Sequence, residues 1–260
     1  MMTLDNSRSE KRCALLGVPV DGLTVRELNE SILELVRRRR HALVLNVNVH
    51  ALNLAVERPW FADLLRRAEI VFCDGAGVRL AALLKGHQLP PRITYADWMW
   101  SLAEFASQHG LSLYFLGGRP GVAAKAARAL RGANPTLKIA GTRHGYFDRA
   151  AGSAESVGVI EEINRAKPDI LVVGFGMPIQ EQWLSEHWGM LNAQVGLTGG
   201  AVFDYVSGTL RRPPGWMQRV GLEWLGRMLI EPRRLWRRYV LGNPLFVARV
   251  VRSLWIDAGV

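Results

Sequence analysis

Lysine and acidic residues are scarce at one end of this 260-residue chain. Residues 211–260 contain no lysine and only three acids, Glu223, Glu231 and Asp257. Cysteine is scarce throughout. Cys13 and Cys73 lie in apolar stretches and read as small buried hydrophobes, with no spacing that supports a disulfide, a zinc site or a thiol nucleophile. No uninterrupted apolar run approaches the roughly 18–20 residues that span a bilayer. The segment Met1 to Arg12 is polar and charged, so no secretory signal is expected. The histidines show no ligand spacing and no Asp-x-Asp flanks a strand, so no divalent metal and no cofactor is expected. The expected location is the cytoplasm, or the cytoplasmic face of a membrane as a peripheral protein.

What fills the acid-poor end is arginine and tryptophan. Residues 211–260 hold ten arginines, so that ten less three leaves +7 of the chain's +10, together with four of the nine tryptophans. On a regular helix Arg233, Arg234, Arg237 and Arg238 fall on one side, and Leu235, Trp236, Tyr239 and Val240 on the other. This pattern suits an anionic membrane surface, where arginines meet phosphate and tryptophans sit at headgroup depth. A solvated basic face packed by its apolar side, and a nucleic-acid-binding helix, are the competing readings.

Upstream, short aliphatic runs alternate with helical patterns, the mark of βαβ units around a mostly parallel sheet. Strands are predicted at Ala42–Val47, Glu69–Cys73, Ser112–Gly117, Leu137–Gly141, Asp169–Phe175 and Gln194–Thr198. Helices are predicted at Thr24–Arg38, Pro59–Arg67, Trp98–His109, Gly121–Leu130 and Glu155–Arg165. Thr24 and Glu27 have capping-box spacing, and Arg37 to Arg40 end that helix where its dipole favours cations. The breaker Arg211-Arg212-Pro213-Pro214-Gly215 separates two expected domains. These are an α/β catalytic domain at residues 1–208 and an arginine- and tryptophan-rich helical appendage at 209–260.

Ligands of open parallel sheets bind beyond the carboxyl ends of the strands. The loops there are glycine-rich: Cys73-Asp74-Gly75-Ala76-Gly77, Gly117-Gly118-Arg119-Pro120-Gly121, Gly174-Phe175-Gly176 and Thr198-Gly199-Gly200. Glycine lets backbone amides approach a phosphate at a helix N-terminus, which points to a nucleotide-type ligand; tight turns alone are the competing explanation. None of the clusters spells a dinucleotide fingerprint or a phosphate loop. Asp74, at a strand end before two glycines, is placed either to take a proton from an attacking hydroxyl or merely to cap the following helix. Arg92 and Asp97 suit a diphosphate and a sugar hydroxyl, with an N-cap role as the alternative for Asp97. Without a metal, a leaving diphosphate would rely on arginine and backbone amides.

Several segments in one order carry a family resemblance. They are Asn48, Asp74-Gly75-x-Gly77-Val78, Arg92 with Asp97, Leu116-Gly117-Gly118-x-Pro120-Gly121, His144-Gly145-Tyr146-Phe147 and Gly176-x-Pro178-x-Gln180-Glu181-x-Trp183. Further along come Gly199-Gly200-x-x-Phe203-Asp204, Arg212-x-Pro214, Gly221-Leu222-Glu223-Trp224-Leu225 and Glu231-Pro232-Arg233-Arg234. From about residue 40 to 240 the chain resembles the WecG/TagA/CpsF bacterial glycosyltransferases.

The resemblance implies a Rossmann-like fold and a metal-independent, inverting transfer from a UDP-sugar to a polyprenyl-diphosphate-linked sugar, in cell-surface or extracellular polysaccharide synthesis. It implies Asp74 as the general base. The implied donor-binding set is Asn46, Asn48, Arg92, Asp97, Gly117, Gly118, Gln180, Gly199 and Gly200. Arg211, Arg212, Arg233, Arg234, Arg237 and Arg238 would meet acceptor diphosphate or lipid headgroups. UDP-sugar, lipid-linked acceptor and an anionic membrane are the expected partners and nucleic acid is not; homo-oligomerisation stays open. Asn46 stands where many members have threonine, Thr198 opens a run usually written Gly-Val-Gly-Gly, and bulky Tyr95 lies in a run that is usually small. These departures leave N-acetylmannosamine, its uronic acid and glucose open as the transferred sugar. A nucleotide-dependent oxidoreductase and a basic nucleic-acid-binding protein are the alternatives.

Overall fold

The computed structural model describes residues 12–219 and 222–257. From the start of the chain the elements run β1 (Arg12–Leu15), β2 (Val18–Asp21), α1 (Val25–Arg37), β3 (Ala42–Val47), α2 (Val49–Glu57), α3 (Pro59–Arg67), β4 (Ile70–Cys73) and α4 (Ala76–Leu84). Next come α5 (Tyr95–His109), β5 (Ser112–Gly117), α6 (Val122–Ala133), β6 (Lys138–Arg143), α7 (Ala154–Ala166), β7 (Ile170–Gly174), α8 (Ile179–His187), β8 (Val195–Thr198) and α9 (Val202–Val206). The C-terminal segment holds α10 (Gly215–Arg219), α11 (Glu223–Ile230), α12 (Pro232–Trp236), a π-helical stretch Arg237–Leu241 and α13 (Gly242–Asp257). The fold is α/β, with mostly parallel strands flanked by helices in the Rossmann-like manner expected.

The chain forms two compact units. One takes in the described residues before Val25, Asn46–Ile93 and those from Arg211 on; the other takes in Val25–Leu45 and Thr94–Leu210. In the first unit β1 and β2 form an antiparallel hairpin through Leu16 and Gly17, and β2 pairs in parallel with β4, Asp21 opposite Phe72. This hairpin gives no periodic signal in the sequence, since its strands have four residues each and Pro19 interrupts the second. Asp21 holds it in place. Its buried carboxylate accepts from Arg12 Nε at 2.7 Å and Nη2 at 3.2 Å, and from the Val71 amide at 2.8 Å.

In the second unit β3 pairs with β8, β8 with β7, β7 with β5 and β5 with β6, all in parallel. Every residue of β7 is buried, as befits a parallel strand covered on both faces. Tyr114, Leu116, Ile163, Leu171, Val173, Trp183 and Leu184 belong to its core, with Phe147 and Phe175 set edge-on to the Trp183 ring. Helix ends follow local chemistry. Ser153 caps α7 by accepting from the Ser156 amide at 3.1 Å, and Gly110 ends α5 in the left-handed conformation.

The C-terminal segment packs within the first unit. Met217, Leu235, Phe246 and Val250 are buried. Asn53 Nδ2 on α2 donates to the Gly242 carbonyl at 2.7 Å, while Arg249 Nη1 donates to Asn53 Oδ1 at 2.9 Å and Arg249 Nη2 to Glu57 at 3.0 Å. Among the described residues no helix is long and apolar enough to cross a membrane.

Asp21→Ala strands the Val71 amide and takes the carboxylate away from Arg12, which keeps the Glu69 carbonyl. It is expected to lower unfolding free energy by about 2–4 kcal/mol in urea titrations, and a loss within error of zero would remove the carboxylate from this role.

Candidate active site

Asp74 stands directly after β4, a strand buried at every position. Its backbone amide donates to the Val47 carbonyl at 2.8 Å, and the Ile93 amide donates to the Cys73 carbonyl at 3.0 Å, so the strand end is fixed by neighbouring backbone. Gly75 follows with φ of 147°, a conformation that side chains other than glycine strain to adopt, and this turns the chain into α4. Asp74 caps nothing there: Gly75 occupies the N-cap position. The carboxylate instead receives the Asn46 amide, Nδ2 to Oδ2, at 3.0 Å.

The half-buried carboxyl is pushed up from 3.8 to about 6. Burial is the largest cause. Arg227, Arg92 and Arg238 oppose it by favouring the anion, and Glu223 adds to it. The base candidate is thus surrounded by charges that come mainly from the C-terminal segment. Glu223 organises them, accepting from Arg92 Nη2 at 2.8 Å and from Arg212 Nη2 at 3.4 Å. His50, in the first turn of α2, is pushed down to about 4 by burial and by Arg238 and Arg58, so it is neutral near pH 7. The Cys73 thiol is raised to about 12 by burial and then by Asp74, consistent with an inert buried cysteine.

The remaining first-unit residues divide. Asn48 caps α2, its Oδ1 accepting from the Ala51 amide at 3.1 Å. Arg211, Arg233 and Arg237 are exposed, whereas Arg212 and Arg238 are half-buried beside the Asp74 cluster. The simple helical wheel does not extend through this region, because the π-helical stretch from Arg237 changes the angle per residue. Leu235 is buried while Trp236 and Val240, expected on the same face, are exposed. The side chain of Arg234 lies outside the described residues, as does Gly221.

In the second unit the glycine loops are joined by Gln180. Its Oε1 accepts from the Gly176 amide at 3.1 Å and the Gly200 amide at 2.9 Å, and its Nε2 donates to Glu181 at 2.8 Å. Gly117 ends β5 with φ of 153°, and a Cβ there would meet the Gly174 carbonyl oxygen at 2.3 Å. Gly118 donates its amide to that same oxygen at 3.1 Å. Gly199 donates its amide to the Val173 carbonyl at 2.7 Å. A cavity of about 400 Å³ lies beside this region, lined by Gly121, Ala123, Ala124, Thr142, Arg143 and His144. Asp97 is not the N-cap of α5; Thr94 is, and its hydroxyl donates to Asp97 Oδ2 at 2.7 Å. Tyr95 is buried and edge-on to Trp98, so its bulk is taken up by the core. Among the described residues no three His, Cys, Asp or Glu side chains are grouped to hold a metal ion.

The model of the Glycosyl transferase WecG/TagA/CpsF family matches residues 13–258. The chain belongs to that family. It is similar to proteins named N-acetylglucosaminyldiphosphoundecaprenol N-acetyl-beta-D-mannosaminyltransferase from Staphylococcus aureus strains MRSA252 and NCTC 8325. Identity is 25% over 254 residues in both cases, covering 97% of this chain and 97% of each relative. The chain is therefore a glycosyltransferase, and the oxidoreductase alternative is set aside.

Within this glycosyltransferase the structure gathers Asn46, Asp74, Arg92, Arg212 and Arg238 in the first unit. It places Asp97, Gly117, Gly118, Gln180, Gly199 and Gly200 in the second. Two residues of the cluster were assigned no role from sequence, Glu223 and Arg227. The signal was present: Glu223 is one of three acids among ten arginines, and Arg227 lies one helical turn after it.

The raised Asp74 pKa has a consequence for stability. The carboxyl contributes stability below its ordinary value of 3.8 and loses it as pH rises through about 6, so the ionised side chain disfavours folding above that range. Asp74→Asn should therefore gain about 1–2 kcal/mol over the parent between about pH 4 and about pH 7.5 in urea unfolding. A difference that does not change with pH would show that Asp74 sits in an ordinary, solvated environment.

Proposed function

We propose that this glycosyltransferase moves a sugar from a UDP-sugar to a polyprenyl-diphosphate-linked sugar, with inversion and without a metal ion, at an anionic membrane surface. The observation that carries the reading is Asp74: a strand-end carboxyl raised to about 6, held by Asn46 and set among Arg92, Arg227 and Arg238. A base needs a pKa close to working pH and a position that is only partly wet, and both hold here. Asp74 takes the proton of the acceptor hydroxyl as that oxygen bonds to C1 of the donor sugar. The bond from C1 to the UDP oxygen breaks on the opposite face, and its electron pair leaves with UDP. Arg92 and Arg212, already oriented by Glu223, supply positive charge for diphosphate, the task that a divalent cation performs in other transferases.

Gly117, Gly118, Gly199 and Gly200, with Asn46, Asn48, Arg92 and Asp97, form the proposed donor-binding set. Gln180 contributes by accepting from the Gly176 and Gly200 amides, which fixes the shape of two of the glycine loops. The S. aureus relatives' names favour N-acetylmannosamine as the transferred sugar and N-acetylglucosaminyl-diphosphoundecaprenol as acceptor. With identity at 25% and Asn46 beside the base, the uronic acid and glucose belong in the donor panel. Exposed Arg211, Arg233 and Arg237, next to exposed Trp236, Val240 and Leu241, support membrane docking of the C-terminal segment. On this reading residues 1–208 supply the base and the donor loops, and 209–260 form the membrane-associating appendage, which also lends Arg212, Arg227 and Arg238 to the Asp74 cluster.

UDP release from a donor panel, with and without lipid acceptor and in EDTA, tests the reaction. Acceptor-dependent release from one donor is expected, and Asp74→Asn should reduce it by roughly 10²–10⁴-fold with folding retained. Near-parental turnover in the variant would remove Asp74 as base. Release only after divalent metal is restored would remove the metal-free mechanism.

Because the carboxylate is the active form, kcat/KM should fall about tenfold per pH unit below about 6 and level off above it. A profile flat down to the ordinary carboxylate range would contradict the assignment.

A further inference from the structure

The nine-residue helix α4, which begins two residues after Asp74, buries Val78, Ala81 and Ala82. Its other side carries Leu80, Leu83 and Leu84, exposed by 58, 60 and 55%. Spacings of three and four align them in one stripe. Contiguous exposed leucines on a soluble surface mark an interaction site. Their flanks are basic: Arg79 is exposed beside them, Lys85 and His87 follow, and no acid occurs between Asp74 and Asp97.

Both ends of this segment are tied to the arginine-rich C-terminal residues. Arg92, beyond its end, is ion-paired with Glu223 at 2.8 Å. Asp74, before its start, lies in the field of Arg227 and Arg238. The C-terminal residues carry their own exposed apolar groups, Leu229, Ile230, Trp236, Val240 and Leu241, with exposed Arg233 and Arg237 among them.

We propose that the α4 stripe is a second bilayer-insertion element, its leucines entering an anionic leaflet while Arg79 meets the lipid phosphates. This rests on the membrane-docked reading given above and adds a contact outside the C-terminal segment. Its effect is to hold the start of α4, and with it Asp74, at the depth where a lipid-linked diphosphate presents its sugar. A second copy of the chain fits the stripe poorly. A two-fold pairing through it would bring Arg79 near its own counterpart, with no acid in the segment between Asp74 and Asp97 to offset the repulsion, whereas anionic headgroups complement it.

The test labels Leu83→Cys in the full-length protein with a bimane fluorophore; Cys13 and Cys73 are buried, and the unsubstituted chain serves as the labelling control. With phosphatidylglycerol-containing vesicles the probe should shift to the blue and be quenched by bromine on the acyl chains. The variant L80Q/L83Q/L84Q should partition onto those vesicles roughly tenfold or more weakly. Its far-ultraviolet circular dichroism and sedimentation coefficient should match the parent, since the replaced side chains are exposed. A probe that stays in water while the native tryptophans are quenched would overturn the proposal and leave C-terminal docking intact. Absence of vesicle binding by the unsubstituted protein would instead overturn the membrane reading beneath it. A parental dimer dissociated by the triple variant would assign the stripe to a second copy.

Discussion

A carboxylate withdrawn from water at the end of a buried strand must be balanced by nearby charge, and in this protein the balance comes mainly from residues more than a hundred positions away. Burial alone would drive the Asp74 carboxyl toward its protonated form. Arg227 and Arg238, with Arg92, draw it back, and Glu223 holds Arg92 and Arg212 in fixed geometry. The result is a midpoint near 6, which leaves the side chain ionised at neutral pH and still basic enough to accept a proton. Neither burial nor the guanidiniums would give that value alone.

The same balance explains why so basic a C-terminal segment folds back as part of the first unit. Arginine repelled by arginine would leave the segment extended, but its own Glu223 and the α2 side chains Asn53 and Glu57 stand at the points of attachment. Glu223 meets Arg92, while Glu57 and Asn53 receive Arg249. Among the described residues the arginines of the segment that remain exposed, Arg211, Arg233, Arg237 and Arg252, are on this account those left to meet lipid. Arginines turned inward and arginines turned outward therefore do different work, although the sequence presents them as one run.

Much of this was legible in advance. The parallel strands lie within a few residues of the expected ends and, except for the partly exposed β6, this is because buried strands of a parallel sheet are continuous aliphatic runs. Asp74 stood out through its position between such a run and two glycines. The hairpin at Arg12–Asp21 was passed over because four-residue strands with an internal proline give no periodic signal, and Asp21 becomes important only through partners at Arg12 and Val71. Glu223 and Arg227 had the right chemistry but no local marker, since their significance is a distance to Asp74 that the sequence does not encode locally. The wheel drawn through Arg233 to Val240 assumed a constant angle per residue, and the π-helical stretch removes that assumption. Tyr95, bulky in a run that is usually small, is absorbed by the core against Trp98, a placement that only the fold reveals.

The family relationship supplies the reaction class, and the geometry indicates how this chain would carry it out. The account depends above all on Asp74 being titrated in the field of the C-terminal arginines. The most direct measurement is a carbon-13 NMR titration of the aspartate carboxyls in the full-length protein, with the Asp74 signal assigned through Asp74→Asn and the titration repeated in Arg227→Gln. The account predicts a midpoint near 6 that moves upward when the Arg227 charge is removed. A midpoint at the ordinary carboxylate value, unmoved by that substitution, would contradict it.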